Sequence, residues 1–196
     1  MASKHYAYIF NSPQFFHGWF GHNGVVLENG LGVVHLFSFH PKLNQGESFS
    51  KGSVARIMNA ADASSFNVFA KACLTVHPGL KTENEDRGIL LNNGAVEWIE
   101  PIRRLIRMGI TENQFKAMLD FAQDFALNPR RFNIITYSCE QFVDQVLDVG
   151  GIMLCDKRGN RIKSPIPNVV YDKASNRTKG ILSFEKIDLE SHQDSK

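Results

Sequence analysis

No stretch of this 196-residue chain approaches the ~20 consecutive apolar residues that a membrane-spanning helix needs. A secretory signal is missing too: after Met1 to His5 the only early apolar run is Tyr6 to Phe10, too short for the hydrophobic region of such a signal. The expectation is a protein made soluble in the cytoplasm, which a dedicated secretion system would carry to any target outside. Cysteine is scarce. Cys73, Cys139 and Cys155 form no CxxC pair and cannot all pair off, which excludes a disulfide framework and a zinc knuckle. An excess of one charge is lacking: Lys and Arg number 22 against 20 Asp and Glu, a net of 22 − 20 = +2, so nothing steers the chain towards nucleic acid. Arg103, Arg104, Arg107, Arg130, Arg131 and the basics from Lys157 to Lys163 read as a solvated face, with no recognition motif beside them. No internal repeat is present. What the chain does have is 43% hydrophobic residues, fifteen of all residues being Phe, in a length suited to one domain with an aromatic core.

Chemistry is concentrated in Tyr137-Ser138-Cys139-Glu140-Gln141-Phe142-Val143. Phe132 to Tyr137 is β-branched and aromatic and predicts a short buried strand. Phe142, Val143, Val146 and Leu147 then share one face at helical spacing, up to a stop at Gly150-Gly151. Ser138 is placed to cap that helix, and Gln141 to close a capping box. Cys139 then opens the helix beside unpaired backbone N–H groups and the positive end of the dipole, which lowers a thiol pKa and favours the nucleophilic thiolate. The other reading of a lone cysteine is a small apolar core residue.

The second half of the pattern lies near the N-terminus. His22 opens a run to Glu28, Asn29-Gly30 follows, and Leu31 to Phe39 contains His35. Asn-Gly between two apolar runs predicts a hairpin. With Asn29 and Gly30 as a two-residue loop, paired positions sum to 59 and His22 and His35 become diagonal neighbours on one face. A loop one residue longer would put them on opposite faces.

Elsewhere the chain reads as scaffold. Tyr6 to Phe10 predicts a strand ended by Asn11-Ser12-Pro13. Val54 to Met58 and Ser65 to Leu74 suggest short helices, and Cys73 within that region suggests core. Lys81 to Arg87 reads as a charged loop. Ala95 to Ile99 fits a strand, or the start of a helix continuing to Met108. Thr111 and Gln114 form a second capping box, opening a helix with Phe115, Met118, Leu119, Ala122, Phe125 and Ala126 on one stripe and a stop at Asn128-Pro129. That stripe should pack on the Cys139 helix. Residues 1–184 are expected to be one domain and 185–196 a polar tail that frays from Ser191.

A thiol at a helix N-terminus needs a base, and the base an orienting group. Cys139 as nucleophile, His22 as base and His35 as orienter complete that set. Their order, His, His, Cys, is the order a circular permutation of papain-type enzymes would give. On these residues the chain resembles the permuted branch of the papain-like NlpC-type superfamily that includes lecithin:retinol acyltransferase-like proteins. The resemblance rests on His22, His35 and Ser138-Cys139-Glu140-Gln141-Phe142-Val143, roughly residues 18–40 and 130–152. Ser138 and Gln141 depart from the Asn and His usual there.

The resemblance implies an α+β, circularly permuted papain-like fold, with an antiparallel sheet packed against helices and the nucleophile at a helix N-terminus. It implies a cysteine hydrolase acting through a thioester, cleaving an amide or peptide bond, cell-wall peptide included, as an injected antibacterial effector with an immunity or delivery protein as partner. A lipid acyltransferase or phospholipase acting on acyl-lipid, and a non-catalytic binding module on the same fold, are the alternatives. The backbone N–H of Cys139 would hold the oxyanion, with a second donor from Gly18 to Gly24, and Trp19 and Phe20 would wall the substrate groove. No cofactor is expected. His17, His22, His35 and His40 match no metal-ligand spacing, so no metal is expected either.

Overall fold

The computed structural model describes residues 4–13, 21–41, 52–55, 89–90, 96–97, 104–133 and 136–188. The segments expected as a helix at Ser65 to Leu74 and a loop at Lys81 to Arg87 lie outside the described residues, as do Cys73 and residues 14–20 with His17, Trp19 and Phe20. Eight strands are described: β1 His5–Ser12, β2 His22–Glu28, β3 Val34–Pro41, β4 Gly52–Ala55, β5 Ile89–Leu90, β6 Val96–Glu97, β7 Arg104–Ile110 and β8 Ser183–Asp188. Three helices accompany them: α1 Glu112–Leu127, α2 Cys139–Val149 and α3 Pro167–Lys173. Six strands form one antiparallel sheet in the order β4-β3-β2-β1-β7-β8, and β5 pairs with β6 apart from it. The chain is therefore α+β, as the sequence leads one to expect.

The period-2 alternation of the strands puts Ala7, Ile9, Val25, Leu27, Phe37, Phe39, Ile106 and Met108 on one face, where they pack against α1 and α2. Tyr8, Phe10, Val26, Leu36 and Leu105 point to the other face and are also buried. Both helices start as the capping residues dictate. Thr111 accepts from the Gln114 N–H and Gln114 reaches back to the Thr111 N–H. Ser138 and Gln141 repeat the exchange at α2. The stripe of α1 meets α2 through Phe125 and Phe142, whose ring centroids lie 4.9 Å apart. Phe39 of β3 lies against both rings, at 5.3 and 5.9 Å. Such a cluster fixes the rotation of α2, and hence the place of its first residue.

Several expectations are corrected. Asn29-Gly30 is not a two-residue loop. The loop runs over residues 29–33, because the Asn29 side-chain oxygen accepts from the N–H groups of Leu31 and Val33, and Gly32 takes the left-handed φ of 81° that ends the turn. Of the segment 132–137, residues 134 and 135 lie outside the described residues; Asn133 and Tyr137 exchange both backbone hydrogen bonds as an isolated bridge. Val54 and Ala55 belong to β4, not to a helix, and Arg104 to Met108 belong to β7, between β1 and β8. The polar tail does not begin at residue 185. Residues 183–188 form an edge strand whose outward positions face water, which is why they read as tail.

Candidate active site

Cys139 is the first residue of α2, with Ser138 as its cap. The β2–β3 ladder stops at Val25↔Phe37, and beyond that point the N-terminal end of β2 meets α2. There the Asn23 backbone N–H donates to the Cys139 sulfur, with the Glu140 N–H beside it, while the Ser138 hydroxyl donates to Gln141 Oε1. N–H groups without an intrahelical partner are what the start of a helix provides. They do not decide its protonation. Cys139 is 5% exposed, and burial pushes its thiol up to about 12, with the neighbouring Glu140 carboxylate adding to the rise. The expected depressed pKa is overturned: at rest Cys139 is a neutral thiol, because loss of water outweighs the helix terminus.

His22 immediately precedes Asn23, at the very start of β2, and is buried. Its ring lies 6.0 Å from that of Phe10, and Nε2 shares a 2.7 Å hydrogen bond with Ser38 Oγ of β3. The thiol thus touches the amide of the residue that follows His22.

His35 belongs to another part of the sheet. It pairs with Leu27, so positions sum to 62, not 59, and His35 shares a face with Leu27, Val25 and Asn23 while His22 faces the opposite way. Four residues of β2 separate Leu27 from Asn23, which is about 14 Å along the strand. The His35 ring packs 6.2 Å from Phe115 of α1, its Nδ1 has no hydrogen-bond partner among the described residues, and burial holds its pKa below the ordinary histidine value. Ser38, bonded to His22 Nε2, is a residue that sequence reasoning missed. The available signal was the second glycine of Asn29-Gly30-Leu31-Gly32, which permits the longer loop and with it the shifted register.

Three further buried polar residues were missed. Asn23 Nδ2 donates to Glu140 Oε2 at 2.7 Å, and Asn11 Nδ2 donates to Asn23 Oδ1 at 2.8 Å and to Asn168 Oδ1 at 3.1 Å. Asn11, Asn23 and Glu140 are all fully buried. Burial, with the Asp144 carboxylate nearby, raises the Glu140 pKa well above the ordinary carboxyl value, against the opposing hydrogen bond from Asn23. The sequence did carry a sign of it. Glu140, Val143 and Leu147 stand at i, i+3 and i+7, which puts a carboxyl on the apolar stripe of α2.

Asn168 also donates to the Pro13 carbonyl at 3.1 Å, and a Cβ on Gly21 (φ 74°) would sit 2.0 Å from Asn168 Oδ1. Asn168 therefore touches both ends of the connection from β1 to β2. Among the described residues no group of three His, Cys, Asp or Glu side chains is placed to hold a metal ion, and no helix is long and apolar enough to cross a membrane.

Among solved structures, the chain is similar to the crystal structure of a type VI secretion system effector, TseH. The TM-score is 0.51 and the identity 15%, over 88% of this chain and 89% of that one. A likeness at that identity concerns the fold. No protein family matches the chain, and no curated protein matches it.

Proposed function

We propose that this chain is a cysteine hydrolase that works by acyl transfer, with Cys139 as nucleophile, His22 as general base and Ser38 as the residue that orients the imidazole. The observation that carries the reading is the contact of the Cys139 sulfur with the amide of Asn23, next to His22, whose Nε2 is tied to Ser38. A neutral, buried thiol implies that the proton moves when substrate arrives and not before. The sulfur attacks a carbonyl carbon, and its proton passes to His22. His22 then returns that proton to the departing amine as the tetrahedral adduct collapses to a thioester. Water, deprotonated by His22, releases the acid and restores the thiol. The Cys139 backbone N–H, at the open start of α2, is the donor available for the oxyanion.

The substrate class proposed is an amide or peptide, cell-wall peptide in particular, and the role that of an injected antibacterial effector delivered by a secretion system and matched by an immunity protein. The fold likeness to a type VI effector supports this role, as does the resemblance of the Cys139 and His22 segments to papain-like NlpC-type hydrolases.

Mass spectrometry of peptidoglycan fragments and of phospholipids after exposure to wild type, Cys139→Ala and His22→Ala tests it. New amide-cleaved fragments with wild type alone are expected. Fragments that persist with Cys139→Ala, or fatty acid released in their place, would overturn it.

A further inference from the structure

A carboxyl on the apolar stripe of a helix, fully buried, breaks the rule that such positions are apolar, and it does so one residue from the proposed nucleophile. Glu140 Oε1 has no hydrogen-bond partner among the described residues, so the Oε2 contact with Asn23 is the polar tie that holds this group. Asn23 is attached to α2 twice, by its side chain to Glu140 and by its backbone N–H to the Cys139 sulfur. The residue before it is His22. Behind it, Asn11 of β1 donates to the Asn23 side chain and also to Asn168 of α3.

From this juxtaposition we infer that Glu140 is a positioning residue: its hydrogen bond to Asn23 locks the His22 end of β2 onto the first turn of α2 and so sets the His22 ring relative to the Cys139 sulfur. The inference rests on the Cys139–His22 reading above. Two bonds from one strand residue to consecutive helix residues define a separation, where a single bond would leave a pivot. Displacement of a reacting group by about 1 Å is enough to lose roughly a hundredfold in rate. Glu140 Oε2 accepts from Asn23 at 2.7 Å inside a dry interface. The amide of glutamine has the same shape and the same acceptor, so shape and hydrogen bonding, not charge, carry the function.

The probe is p-nitrophenyl acetate, with acetylation of the Cys139 peptide followed by mass spectrometry in the full-length protein. The step balances: the thiol sulfur forms the thioester, p-nitrophenolate leaves, and the thiol proton goes to His22. Wild type should acetylate at Cys139, and His22→Ala should slow this roughly tenfold or more. Glu140→Leu and Asn23→Ala should each lose the dependence on His22, so that adding His22→Ala changes the rate little. Glu140→Gln should restore it. Combining Glu140→Leu with Asn23→Ala should add nothing to either alone, the signature of one shared contact. If Glu140→Leu fails to fold, Asn23→Ala removes the same bond from the strand side. Retention of the His22 dependence in Glu140→Leu or Asn23→Ala would overturn the positioning role. So would failure of folded Glu140→Gln. Absence of His22 dependence in wild type would instead remove the Cys139–His22 reading itself.

Discussion

His22 and His35, 13 residues apart in the chain, lie on opposite faces of the β2–β3 hairpin. His22 meets Ser38, and His35 meets Phe115 of α1. The division follows from the loop over residues 29–33, and it is why the proposed orienting role goes to Ser38 and not to His35.

Substitution separates the two. Ser38→Ala should reduce p-nitrophenyl acetate turnover at Cys139 about tenfold, mainly in kcat, because the imidazole loses the bond that fixes its ring. His35→Gln should leave turnover unchanged. It should alter acid stability instead. The folded-state pKa of His35 is lowered by burial, so the unfolded chain takes up the proton first as pH falls. The histidine's contribution is fully present above its unfolded pKa of about 6.5 and is lost as pH falls from there towards the folded value. Urea unfolding of wild type and His35→Gln between pH 7 and pH 5 checks this, and equal pH slopes would contradict it.

Cys139 should react slowly with iodoacetamide at neutral pH, since its thiol is pushed up to about 12. The rate of carbamidomethylation at the Cys139 peptide should climb steadily through pH 8 to 10, without a plateau near pH 7. A plateau there would mean a resting thiolate. The linkage has a sign as well. With the folded pKa above the unfolded one, the neutral thiol's contribution is present below pH ~8.5 and is lost as pH rises towards the folded value, and Cys139→Ser should reduce that loss.

Asp144, one turn beyond Glu140, has its pKa raised to about 6, by burial first and by Asp148 second, with Arg161 opposing. A carboxyl with a raised folded pKa favours the fold when protonated, and it costs stability as pH rises from about 4 through 6. Asp144→Asn should therefore raise the melting temperature at pH 7 relative to wild type, with the difference vanishing below pH ~4. A lower melting temperature at pH 7 would show that the attraction to Arg161 outweighs desolvation.

Phe142 is fully buried between Phe39 and Phe125 and sets the position of α2. Phe142→Ala should cost about 3–5 kcal/mol in chemical denaturation. Ser138→Ala should cost about 1 kcal/mol through loss of the cap. If the cap substitution reduced ester turnover far beyond its stability cost, the start of α2 would be shown to act on the sulfur directly.

Local chemistry made much of this molecule legible. Thr111 with Gln114, and Ser138 with Gln141, announce helices that begin where the capping groups stand, because a cap satisfies orphan N–H groups within three residues. The apolar stripe of α1 and the strand at Tyr6 to Phe10 follow from periodicity alone. The tail at 185 was misread because pairing depends on a neighbour distant in the chain, and β8 has one in β7.

By itself, then, the sequence determined the α+β character, the two capped helices and Cys139 at the start of the second. Tertiary structure alone decided which face His22 shares, that Ser38 and not His35 stands beside it, and that the Cys139 thiol is neutral. Register is a choice of one residue in two, made by an Asn29 side chain and a left-handed Gly32, and a pKa is set by whatever excludes water from the group; neither is written in the spacing of residues along the chain.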